Sequence, residues 1–165
     1  VARAIGLGYP GGPKIQKAAE QGDSEAIHFP RPCLEEEGYN FSFSGLKSAV
    51  LNYLNQQQMM GLPVNQSDVA ASFQAAVVEV LTAKVMQAAR DYKVKRVAMA
   101  GGVSANKALR ESLEKACREA GMDFCRPEII LCTDNAAMIG CAAYYEYEKG
   151  QSSPLDLNAY PNLTL

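Results

Sequence analysis

Lys95-Arg96-Val97-Ala98-Met99-Ala100-Gly101-Gly102-Val103-Ser104-Ala105-Asn106-Lys107-Ala108-Leu109-Arg110 is the stretch that decides the fold of this chain. Val97 to Ala100 form a short continuous apolar run, the pattern of a strand buried on both faces. Gly101 and Gly102 follow at once, and helical spacing begins near Ser104. A strand, a turn without side chains and a helix N-terminus in that order predict an α/β fold. Such a turn is either a tight connection inside a sheet or a place where a phosphate meets bare amides and a helix dipole. Asn106 falls in the first turn, where its amide can donate and accept to a ribose or base.

Downstream, helical spacing runs to Ala120 with Gly121 as a stop, and Met122 to Cys125 suggest a second short strand. Thr133-Asp134-Asn135 precede a helix from Ala136 to about Lys149, with Thr133 or Asp134 as N-cap. A cap is a sufficient role for Asp134; a metal or substrate role needs further support. Gln151 to Leu165 form an extended or disordered tail, so residues 1–150 are read as the folded lobe.

Upstream, the longest helix is predicted from Ser67 or Asp68 to about Tyr92, with an alanine-rich stripe suited to packing on a sheet. Ser44 is the expected N-cap of a helix carrying Leu46, Val50, Leu51 and Leu54 on one side. Lys47 stands near that N-terminus, against the dipole. Tyr39 to Phe43 alternate aromatic and polar residues, as a half-buried strand does. His28, the single histidine, lies beside Pro30 and Pro32 in an extended edge segment and reads as a surface residue. Glu35 to Glu37 read as a solvated loop. Gly8 to Pro13 break regular structure, either as a structural turn or as a loop whose Gly11 and Gly12 amides face a ligand. A helix then covers roughly Lys14 to Gln21, and Val1 to Leu7 read as the last turns of another.

At 165 residues the chain suits one domain with a real core. A hydrophobic share of 48% with 21% charged is ordinary for a soluble globular protein. The formal net charge of −2 gives no global basic field, so a nucleic-acid partner needs a local patch or a companion protein. No apolar run in the sequence reaches the roughly 20 residues of a membrane span. Cys33, Cys117, Cys125, Cys132 and Cys141 are scattered and odd in number, without a CxxC pair. That argues for reduced thiols and a cytoplasmic location, against a disulfide framework. The opening Val1, where a methionine would start a whole chain, suggests a piece of something longer.

Five stretches then coincide, in order, with one family: Leu7-Gly8-Tyr9-Pro10-Gly11-Gly12-Pro13, Phe41-Ser42-Phe43-Ser44-Gly45-Leu46-Lys47, Asp68 to Gln74, Gly101 to Asn106 with Leu109-Arg110, and Cys132 to Ile139. The chain resembles the C-terminal half of the tRNA adenosine threonylcarbamoyltransferases, long catalogued as O-sialoglycoprotein endopeptidases. The resemblance implies one lobe of a two-lobed fold of the actin, sugar-kinase and Hsp70 type. It implies transfer of a threonylcarbamoyl group from threonylcarbamoyl-AMP to the exocyclic amine of the tRNA adenosine next to the anticodon. By the same resemblance Gly12, Gly101, Gly102 and Asn106 contact substrate or nucleotide, threonylcarbamoyl-AMP or ATP. Asp134 ligates a divalent metal, iron or zinc. Implied partners are tRNA, a catalytically silent homologous subunit and a small ATPase, with no membrane.

The family's two metal-binding histidines form an HxxxH motif that this sequence does not contain. The expectation is therefore one lobe with half an active site, inactive alone. A non-catalytic nucleotide-binding or assembly module is the alternative. A metallopeptidase is disfavoured, because no HExxH motif or histidine pair is present to hold zinc.

Overall fold

The structure, a computed structural model, describes residues 1–34 and 36–159. Its spine is helix α3, Gln66–Asp91. Asn65, rather than Ser67 or Asp68, caps it, accepting from Ser67 N at 3.0 Å. Asp68 sits in the first turn, where its charge suits the dipole. Val69, Ala70, Ala71, Ala76 and Val80 are buried, and their small side chains let neighbouring helices approach closely. Helix α1 (Gly11–Ala19) and helix α4 (Lys107–Glu119) lie against it. Helix α2 (Ser44–Met59) adds Leu46 and Val50 to the same core. The alanine stripe therefore faces helices, where the sequence predicts a sheet. By length and composition α3 could cross a membrane, although no such span stands out in the sequence. Yet 44% of its most apolar window is buried inside the protein, as in the core helix of a folded domain.

The described sheet has two parallel strands, β1 (Arg96–Ala98) and β2 (Asp123–Cys125), in the register Val97 opposite Phe124. Met99 N donates to Cys125 O at 3.0 Å and Asp123 N to Lys95 O at 2.9 Å, which extends the ladder at both ends. The expected strand is there, but its burial on both faces is not. Val97 is half-buried while Arg96 and Ala98 are exposed. Helix α4 covers one face, and among the described residues the other is bare.

After β1 a 3-10 turn spans Gly102–Ala105, so the α-helix begins at Lys107 rather than near Ser104. The last helix, α5 (Ala136–Glu148), starts where expected, but its cap is Asn135, neither Thr133 nor Asp134. No residue of α5 is buried, although Met138, Ile139, Tyr144, Tyr145 and Tyr147 are among them. Helix α1 begins three residues earlier than predicted and ends before Gly22, and Val1 to Leu7 form turns, not the end of a helix. At α2 the cap position is Phe43, not Ser44, and no side chain caps it. Gln151 to Ala159 have no helix or strand, and residues 160–165 of the predicted tail lie outside the described residues, as does Glu35 of the predicted loop.

Residues 23–34 and 36–39 run as a strap along α3, tied by side chains at steps. Asp23 N donates to Asp68 Oδ1 at 2.9 Å, and Ile27 N to Ser72 Oγ at 3.2 Å. Arg31 pairs with Glu79 at 2.8 Å. Buried Lys84 donates to Glu36 O at 2.7 Å and Gly38 O at 2.9 Å. The Tyr39 hydroxyl donates to Asp91 Oδ2 at 3.0 Å. The strand predicted over Tyr39 to Phe43 does not form, because among the described residues no strand lies alongside; Phe41 and Phe43 contact each other instead, with ring centroids 5.5 Å apart.

The hydrogen bond to Asp91, with that carboxylate's charge, raises the Tyr39 phenol above its ordinary value. The protonated phenol makes the bond, so its contribution is full below the ordinary tyrosine range and is lost as pH rises through the raised value. Tyr39→Phe is expected to flatten that alkaline loss, read as the urea midpoint across about pH 9 to 11.

Candidate functional site

Two helix N-termini meet beside one cavity. Helix α1 opens on Gly11 and Gly12, and no side chain caps it, so its first amides are uncovered. Helix α4 opens behind Asn106, whose Oδ1 accepts from Leu109 N at 2.9 Å. Gln16 of α1 reaches across and accepts from Lys107 N at 3.0 Å, locking the two ends together. Each end carries the positive pole of its helix dipole, so the junction favours an anionic or acceptor-rich ligand.

Beside them is a cavity of about 710 Å³ lined by Gly12, Asn106, Phe41, Phe43, Phe73 and Gln74, with aliphatic side chains of α3 behind. The volume lies within the usual range for a small-molecule site, and a mostly apolar wall with a few polar groups is its usual lining. Asn106 Nδ2 donates to Gln74 Oε1 at 3.0 Å. That leaves the second amide hydrogen and one Oδ1 lone pair for a ligand. Asn106 is thus a cap as well as a candidate contact, where the sequence places it in the first helical turn.

Asn106→Ala is expected to cost about 1–3 kcal/mol of stability, because it removes the cap and leaves the half-buried Gln74 Oε1 without its donor. Asn106→Asp keeps the cap oxygen but meets Gln74 Oε1 with another acceptor, so it should recover only part. Chemical denaturation of the three proteins measures the order.

Gly101 has φ 84 and ψ 171, a conformation almost confined to glycine. Gly102 is different: a Cβ there would have space, with only Thr133 Cγ2 at 4.0 Å. Neither glycine lines the cavity, but Gly102 brings the turn close to the Cys132-Thr133-Asp134 loop. Buried Arg110 fastens turn and loop together. Its Nε donates to Ser104 O, and its Nη2 to Pro127 O at 2.8 Å and Cys132 Sγ at 2.9 Å. Among the described residues no carboxylate pairs with it.

Asp134 is exposed at the end of that loop and does not line the cavity. Among the described residues no group of three or more His, Cys, Asp or Glu side chains is placed to hold a metal. His28 is exposed on the strap. One carboxylate supplies too few donors for iron or zinc, so the residues present do not fit a metal by themselves.

The structure therefore brings Gly12 and Asn106 to one cavity, sets Gly101 and Gly102 near its rim, and leaves Asp134 apart. Phe41, Phe43, Phe73, Gln74 and Arg110 stand in the quoted motifs but carry no site role in the sequence analysis; the structure adds them. Their signals were present: an aromatic pair without a strand partner, an amide in an apolar helix, and a cation on the buried side of α4 beside Leu109.

The family model for tRNA N6-adenosine threonylcarbamoyltransferase matches residues 1–141. A curated relative of that name from Clostridium botulinum (strain Kyoto / Type A2) is 57% identical over all 165 residues, which cover 48% of the relative. Relatives of the same name from Moorella thermoacetica and Clostridium perfringens (strain SM101 / Type A) are 55% and 54% identical, again over the whole of this chain and 48% and 49% of theirs. The chain thus spans about half the length of the curated relatives it matches. Among solved structures, HypF from T. kodakarensis superposes with a TM-score of 0.61 at 24% identity, over 87% of this chain and 18% of that one. That likeness speaks to the mixed α/β fold alone.

Proposed function

Because the chain belongs to the tRNA N6-adenosine threonylcarbamoyltransferase family, we propose that it forms one lobe of such an enzyme, of the actin, sugar-kinase and Hsp70 type, carrying half of the nucleotide cleft. The observation that supports this reading most is the cavity shared by Gly12 and Asn106, from motifs far apart in sequence. In the proposed reaction the adenosine N6 attacks the carbamoyl carbon of threonylcarbamoyl-AMP. The carbon–oxygen bond to the phosphate breaks, AMP leaves with the bonding pair, and N6 gives up a proton. On this chain the uncovered amides of α1 and the free valences of Asn106 would hold the nucleotide, while Gly101 and Gly102 let its phosphates approach the backbone.

Asp134 is proposed as a single ligand of a metal site whose imidazoles lie outside this sequence, and the isolated chain is proposed to be inactive. Residues 1–150 make up the lobe in this proposal. The silent homologous subunit and the small ATPase remain its proposed partners, and the cytoplasm, where tRNA is modified, its proposed location.

The test is equilibrium binding of threonylcarbamoyl-AMP or ATP to the full natural polypeptide and to Gly102→Val, with folding checked by circular dichroism. A loss of about tenfold or more, ~1.4 kcal/mol, is expected because the side chain fits the fold but stands in the path of the phosphates. Equal affinities in two folded proteins would remove the turn from the site. Metal analysis of Asp134→Ala in the same polypeptide reads the second part, with loss of bound metal expected.

A further inference from the structure

Arg3, Lys14, Lys17 and Lys47 are exposed around the Gly6 to Gly11 loop, and none of them forms an ion pair among the described residues. Arg3 and Lys47 line one hollow together with Gly8, Tyr9 and Gly11. Lys14 and Lys17 line the next, with Gly6 and Leu7. The two hollows join at Gly8, where a Cβ would stand 3.5 Å from Lys14 Nζ. The other charged side chain of α1's outer end is Glu20, one turn past Lys17. A chain of net charge −2 thus gathers a cationic rim at one loop.

The position of the rim matters more than its charge. Val1, Ala2 and Gly11 line both the Arg3–Lys47 hollow and the apolar cavity. The cations therefore stand just outside the cavity, on the far side of the α1 N-terminus. Exposed lysines and arginines without carboxylate partners lose little on meeting a phosphate, and each contact releases condensed counterions from a polyanion. Lys47, whose charge opposes the α2 dipole at the second turn of that helix, gains a partner of the right sign. Tyr9, 78% exposed between Arg3 and Lys47, offers a ring face to an unstacked base.

The geometry points to this rim as the surface that grips the sugar-phosphate backbone of tRNA next to the nucleotide cavity, an inference that rests on the transferase reading. Phosphate contacts fix register without reading sequence. That is what an enzyme needs if it is to present one adenosine of many tRNAs to a fixed cavity.

The experiment uses the full natural polypeptide and an unmodified transcript of a tRNA with adenosine after its anticodon. Binding is measured by fluorescence anisotropy over about 50 to 300 mM KCl, a range in which counterion release dominates. Combining Arg3→Gln, Lys14→Gln, Lys17→Gln and Lys47→Gln is expected to shallow the log–log salt slope by about 0.7–0.9 per lost contact. ATP affinity should not change. Lys115→Gln with Lys149→Gln, on the outer sides of α4 and α5, should leave the slope alone. An unchanged slope in the combined variant, or an equal loss in the control pair, overturns the surface. If the surface fails while Asn106→Ala still weakens ATP binding, the transferase reading survives. If the wild type binds no tRNA and Asn106→Ala leaves ATP binding intact, both fall.

Discussion

Gly22→Ala is expected to destabilise the protein by about 3 kcal/mol or more, because of all the glycines this one leaves the least room for a Cβ. Gly22 follows α1 and presses its backbone against the first turn of α3. A Cβ there would overlap Ser67 O and lie 2.8 Å from Asp68 N. Both neighbours are main-chain atoms of a capped helix, so no rotamer change relieves the clash. The chain must lift away, and with it go the bond from Asp23 N to Asp68 Oδ1 and the one from Ser72 Oγ to Asp23 O. Gly140→Ala is the matched control, since that helical glycine has open space around it and should gain up to about 1 kcal/mol. Urea unfolding at constant m-value reads both. A Gly22→Ala protein as stable as wild type would mean that α1 and α3 do not cross this closely.

Arg110→Met should cost about 2–4 kcal/mol through a different route. The methionine fills much of the volume, so the loss is not a cavity. It is the orphaning of Ser104 O, at a buried residue, and of Pro127 O, at a half-buried one, carbonyls that have no other described donor side chain. Relief from burying a cation offsets part of this. Arg110→Lys keeps the charge but not the planar fork, and one ammonium cannot reach three acceptors in three directions, so it should recover less than half. Thermal unfolding of the three proteins gives the order. The loop of Asp134 should loosen as well, seen as faster amide exchange at residues 132–135 without change in α2.

The caps show how far residues could be read without coordinates. Helices α3, α4 and α5 were all expected, with starts within a few residues, because apolar spacing and glycine stops mark them. Yet Asn65 and Asn135 hold cap positions for which the sequence favours Ser67 or Asp68 and Thr133 or Asp134, and Asn106 caps a helix whose spacing begins near Ser104. All these side chains accept from a backbone amide about equally well, so local chemistry does not choose among them. The choice falls where the backbone first turns helical, and tertiary contacts such as Gln74 with Asn106 and Gln16 with Lys107 set that point. Gly12 and Asn106 were legible as a pair only through their motifs; nothing in spacing alone places them on one cavity. The strand over Tyr39 to Phe43 failed for a related reason. Period-two alternation records which side chains want cover, and here other rings supply part of it, Tyr92 for Tyr39 and Phe43 for Phe41, not a sheet.

The strap along α3 also shares one entropic cost among its ties. Helix α3 is held by bonds four residues apart, whereas each tie from residues 23–39 closes a loop of 45 to 52 residues. Loop closure of that length grows only logarithmically in cost, so once Asp23 is seated on Asp68 each later tie adds little further entropy. The ties thus cost nearly the same to close, and any one of them, once made, holds the rest of the strap in register with the helix. Phe41 and Phe43 follow directly after the last tie, at Tyr39. One wall of the cavity is therefore pinned on both sides, by the Tyr39 tie ahead of Phe41 and by the start of α2 at Phe43, a short span between two piers.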